Sequence, residues 1–125
     1  MKKDRKEQKS GFTLIEIIAV LVILAVLAAV AIPRYISLID DARTQALNGA
    51  VAAGLSHVSL AYGRVALQGG TEPTQATILT ELNANGMQSA DYDVTFTASG
   101  NDNILVTAAE NGDATMTGNA VWAAP

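Results

Sequence analysis

The chain has 125 residues, of which 50% are hydrophobic, 16% charged, 5% aromatic and none cysteine. That length makes one folded domain the default, and a net charge of −4 argues against a nucleic-acid partner. Without cysteine there is no disulfide, thiolate metal site or lipidated cysteine, so composition does not reveal the redox compartment.

The charge is unevenly spread. Residues 1–11 hold Lys2, Lys3, Arg5, Lys6 and Lys9 against Asp4 and Glu7, a balance of +3, and the remaining three Arg and ten Asp/Glu give −7. Gly11 ends this basic leader. From Phe12 to Ile32 only Thr13 and Glu16 are polar. As a helix that run is roughly 31 Å long, about the thickness of a bilayer's hydrocarbon core. The preceding cations would hold the N-terminus in the cytoplasm and place the rest of the chain outside it. A secretory signal peptide is the competing reading, because Ala29-Val30-Ala31 satisfies A-x-A. The apolar run is too long for it, however, and Glu16 sits badly inside such a core.

Pro33 closes the apolar run without stopping the helical pattern. Ile36, Ile39, Leu47, Val51, Leu55, Val58, Tyr62 and Val65 recur at helical spacings, with mostly polar residues between them. The spacing predicts an amphipathic continuation over 34–68, kinked at Pro33 and stopped at Gly69-Gly70. Gly49, Gly54 and Gly63 weaken this helix. They fit close packing either in a fibre core or on a sheet.

Residues 69–125 change character. Thr74 to Asn85 reads as a short helix bearing Ile78, Leu79 and Leu82. Tyr92, Val94 and Phe96 then alternate with polar residues as a strand does. Ile104 to Ala108 forms a second strand, and Ala114 to Trp122 a third, broken near Gly118. The turns fall at 99–103 and 111–113. So small a segment needs a further apolar partner, and the stripe from Ile36 to Val65 supplies one. The expected class is α+β: a lollipop whose long helix has an apolar half protruding and an amphipathic half laid on a small antiparallel sheet.

Gly11-Phe12-Thr13-Leu14-Ile15-Glu16, after a basic leader and before an apolar run ending at Pro33, resembles the class III signal of type IV prepilins and type II secretion pseudopilins. Asp41-Ala42-Arg43 with Ala46-Leu47, and Ala61-Tyr62-Gly63-Arg64-Val65-Ala66-Leu67, are similar to pilins of the mannose-sensitive haemagglutinin type. Most pilins of that kind carry a cysteine pair around a head loop, and this chain departs from them there. The resemblance implies that a prepilin peptidase cuts between Gly11 and Phe12 and methylates the new amine of Phe12. It also implies that Glu16 pairs with the amine of a neighbouring subunit during assembly. A carboxylate near the centre of a membrane helix costs on the order of 2.5–3.5 kcal/mol, so one retained there suggests a function. A glutamate that merely favours the helix dipole is the plainer account.

No catalytic constellation is present. His57 is the single histidine, and no nucleophile–base set, H-E-x-x-H or P-loop occurs. No cofactor is expected. Asp91, Asp93, Asp102 and Asp113 are weak calcium candidates, since oxygen-rich loops can hold that ion, but turns favour such residues anyway.

The resulting reading is a non-enzymatic major pilin of a type IV pilus, serving adhesion, motility or DNA uptake. Its implied partners are further copies of itself, prepilin peptidase, an inner-membrane platform and an assembly ATPase. As a precursor it would lie in the bacterial inner membrane with its head in the periplasm. The alternatives are a pseudopilin of a periplasmic secretion pseudopilus, and an anchored periplasmic binding module that never assembles.

Overall fold

A computed structural model describes residues 11–70, 72–87 and 89–125, so the basic residues Lys2 to Lys9 lie outside it. The element order is α1 (Leu14–Gly69), α2 (Gln75–Ala84), β1 (Tyr92–Ser99), β2 (Asn103–Glu110) and β3 (Asp113–Trp122). This is the expected α+β class: a long N-terminal helix, a short helix and a three-stranded antiparallel sheet of order β1-β2-β3. The chain divides into two compact units, one up to Ile39 and one of Asp40–Pro125, so the division falls within α1.

In the first unit, α1 carries Pro33 inside it and runs on, as the pattern beyond that proline predicts. No described residue before Leu47 is buried. By length and composition α1 can cross a membrane, and none of its most apolar window is covered by the other described residues.

In the second unit, α1 buries Leu47, Val51, Gly54, Val58 and Ala61. Those spacings alternate four and three, which holds one helix face toward the sheet. Ile36 and Ile39 do not join it, being 55% and 38% exposed. Strands eight to ten residues long reach roughly 26–33 Å, enough for the roughly 23 Å of helix from Leu47 to Tyr62. The centre of the packed stripe also differs from the predicted one. Gly54 and Ala61 lie on it, whereas Leu55 and Val65 are only half-buried.

Strand alternation supplies the opposing face. Val94, Ile104, Val106 and Ala108 are buried, the last three completely, while Thr95, Thr97, Thr117 and Asn119 on the other face are exposed. One sheet face therefore packs on α1 and the other meets solvent, the usual antiparallel arrangement. Ile78 and Leu82 of α2, one turn apart, complete the core. α2 begins at the N-cap Thr74, which exchanges hydrogen bonds with Thr77, and its C-terminal end with Gly86 and Met87 lies beside β1.

β3 is continuous through Gly118, which pairs with Ala108, so the predicted break there is absent. Glycine serves closeness of approach instead, since a Cβ at Gly118 would stand 3.2 Å from Val51 Cγ2. The irregularity lies earlier, where pairing passes from Ala109↔Thr117 to Glu110↔Asp113 and leaves residues 114–116 as a bulge.

Candidate functional site

The candidate site begins where α1 begins. Thr13 precedes the first helical residue, and two orphan amides of the first turn are satisfied by side chains. The Thr13 amide donates to Glu16 Oε2 at 2.7 Å, and the Glu16 amide donates to Thr13 Oγ1 at 3.3 Å. This is a reciprocal capping box. Its T-x-x-E signature stands in the sequence at Thr13 and Glu16, a local partner that the charge of Glu16 alone does not suggest.

Phe12 and Glu16 lie on one side of the helix, where they line an open notch of about 470 Å³ with Ile17, Val20 and Leu21. The notch is apolar except for the Glu16 carboxylate. Glu16 is exposed, and its Oε2 accepts the Thr13 amide. Gly11 and Phe12 are themselves exposed and non-helical, a backbone that an enzyme can reach. A Cβ at Gly11 would meet nothing within 4 Å, so among the described residues no packing demands glycine there.

A family model, the prokaryotic N-terminal methylation motif, matches residues 8–32. The chain carries that motif. It is the signature of type IV pilins and pseudopilins, and it spans the exposed dipeptide, the capping box and the uncovered apolar turns just described. The motif points to a structural subunit rather than an enzyme, and it implies handling by prepilin peptidase. No curated protein and no solved structure matches the chain.

The other singled-out residues fall elsewhere. His57 is half-buried in the second unit, its ring stacked 6.1 Å from that of Phe96. Its Nδ1 is buried without a hydrogen-bond partner, which marks a packed residue. Asp91, Asp93 and Asp113 lie toward one end of the sheet, and Asp102 sits in the turn at the other end. Among the described residues no three Asp, Glu, His or Cys side chains converge as a metal site would require. Asp113 is engaged locally. The Thr115 hydroxyl and amide both donate to its Oδ1, and these bonds, with a smaller contribution from the Arg43 charge, hold its pKa below the ordinary aspartate value.

Of the three helix glycines, Gly54 packs on the sheet. A Cβ there would come within 2.5 Å of Val106 Cγ1 and 3.1 Å of Val94 Cγ1. Gly49 and Gly63 face open space.

Proposed function

We propose that this protein is the major subunit of a type IV pilus. Prepilin peptidase cuts between Gly11 and Phe12 and methylates the Phe12 amine, and the subunit polymerises through its N-terminal helices. One observation carries the reading: the methylation motif coincides with the N-terminal stretch of α1, whose apolar residues have no cover among the described residues. Lipid covers it in the inner-membrane precursor, and neighbouring helices cover it in a filament.

Glu16 has a role in that exchange. In the precursor its carboxylate accepts a hydrogen bond from its own capping box, which lowers the cost of holding it in the membrane. Cleavage creates an ammonium at Phe12, and in the filament a neighbour's amine compensates the buried charge. An inner-membrane platform and a cytoplasmic ATPase supply the work of extraction. The likeness of residues 41–47 and 61–67 to mannose-sensitive haemagglutinin pilins favours a surface pilus over a secretion pseudopilus.

The deciding experiment measures intact mass and the N-terminal residue in cells with and without prepilin peptidase. A chain starting at methylated Phe12 only when the enzyme is present supports the proposal. A chain starting at Met1 in both sinks it, and so does cleavage after Ala31. Glu16→Ala should be inserted and cleaved yet fail to form fibres. Electron microscopy of the cell surface separates the two filament types, because a pseudopilin leaves no surface fibre.

A further inference from the structure

We infer that Asn85-Gly86, just past the end of α2, is a self-modification site at which the folded chain converts Asn85 to a mixture of aspartate and iso-aspartate. Asparagine followed by glycine is prone to this change, because glycine has no side chain to hold its amide away from the asparagine side chain. The Gly86 nitrogen attacks Asn85 Cγ, the Cγ–Nδ2 bond breaks, and Nδ2 leaves as ammonia with the hydrogen of the Gly86 amide. Water then opens the cyclic imide. Opening at Cγ leaves aspartate, and opening at the main-chain carbonyl leaves iso-aspartate, with an extra methylene in the backbone. Neither step needs an oxidant, a metal or a second protein.

The sequence offers this pair at Asn48-Gly49, Asn85-Gly86 and Asn111-Gly112, and the fold sets them apart. Attack requires the peptide after the asparagine to swing toward its side chain. Asn48 lies inside α1, where the Gly49 amide is spent on the carbonyl one turn back and the following turns hold the peptide in place. Asn111 closes the β2–β3 hairpin between the paired Glu110 and Asp113. Its amide donates to the Asp91 carbonyl and its Nδ2 to the Ala90 carbonyl, both at 2.9 Å, so it is tied to the segment that enters β1. Asn85 is the C-cap residue of α2, at φ −122° and ψ 39°, already out of the helical conformation. Its amide and its Nδ2 both bond to Glu81, within its own helix. The exposed Gly86 follows in irregular chain, and among the described residues its amide has no backbone partner. Turning that peptide breaks no ladder.

The product changes the end of α2. Glu81 Oε1 accepts from Asn85 Nδ2 at 3.0 Å and faces Arg64 Nη1 at 3.6 Å, an ion pair that ties α2 to α1. A carboxylate in place of the amide removes the donor and sets a like charge beside Glu81. It also adds negative charge at a helix C-terminus with no basic residue in its last turn. The modified chain therefore holds α2 less firmly, and the modified fraction rises with the age of the protein. None of this depends on polymerisation.

The test follows the full chain in detergent micelles over weeks at neutral pH, with peptide mapping by mass spectrometry to read amide loss and iso-aspartate at each position. A second sample in concentrated urea removes the fold and keeps the local sequence. In the folded chain Asn85 should react at least about tenfold faster than Asn48 and Asn111, which react only through local opening. In urea the rates should converge. Asn85→Asp should speed hydrogen exchange in the last turn of α2 several-fold. The inference fails if Asn85 is as slow as Asn48, if Asn111 keeps pace with Asn85 in the folded chain, or if the same ranking persists in urea, where sequence alone decides. Unchanged hydrogen exchange in Asn85→Asp would overturn the effect on α2.

Discussion

Gly54 and Gly49 are one and a half turns apart on the same helix, yet the environment gives them opposite roles. Alanine ordinarily stabilises a helix interior by about 1 kcal/mol over glycine. At Gly54 the new methyl would meet Val106, a fully buried, stiff, β-branched side chain with nowhere to move. Overpacking of that kind costs about 1–3 kcal/mol, so Gly54→Ala should lower stability while Gly49→Ala and Gly63→Ala raise it, up to about 1 kcal/mol each. Urea denaturation of the three variants checks the sign. Asp113 makes a different prediction. Its hydrogen bonds from Thr115 depress its pKa, so its contribution is complete above the unfolded value near about pH 4 and fades as pH falls through the folded one. Between about pH 5 and about pH 3 the parent should therefore lose more melting temperature than Asp113→Asn, and equal losses would show that the Thr115 bonds add nothing to folding.

At the scale of elements, α2 depends on its start. Thr74 and Thr77 satisfy each other's amides across the first turn, so Thr74→Ala should cost about 0.5–2 kcal/mol. Circular dichroism should show the helix frayed before the sheet melts, and an unchanged melt would mean that Ile78 and Leu82 hold α2 without the cap. The sequence announces this helix, the passage of α1 through Pro33 and all three strands, because each rests on period and punctuation, which are local. It does not announce what depends on distance between elements. Large apolar residues draw the eye to Leu55 and Val65, while the line that meets the sheet runs through Gly54 and Ala61, whose small size is what lets the sheet approach. Gly118 likewise reads as a strand breaker and proves to be a contact with Val51. Ile36 and Ile39 fit the helical period but stay exposed. At the N-terminus the motif residues are legible from Gly11 to Glu16. The Thr13–Glu16 capping box is equally legible there, as a T-x-x-E signature.

Among the described residues, the core of the whole molecule belongs to the unit of Asp40–Pro125. Every buried apolar residue among them lies between Leu47 and Ala108, in that unit. The sheet unit thus carries a core of its own, and it should fold without the apolar N-terminal turns. The single tryptophan reports on this, since Trp122 donates from Nε1 to Ser59 Oγ at 3.0 Å and its ring lies 5.6 Å from that of Tyr62. It therefore couples the end of β3 to α1. A fragment of residues 40–125 should remain in solution without detergent and unfold in urea in one cooperative step seen by Trp122 fluorescence. Its midpoint should match that of the full chain in micelles within the error of the extrapolation. A unit of this size buries little and will unfold at modest urea. Cooperativity, rather than a high midpoint, is the decisive sign. A fragment that shows solvent-exposed tryptophan fluorescence in buffer alone would mean that the apolar helix stabilises the sheet unit after all, and that anchor and fold cannot be separated.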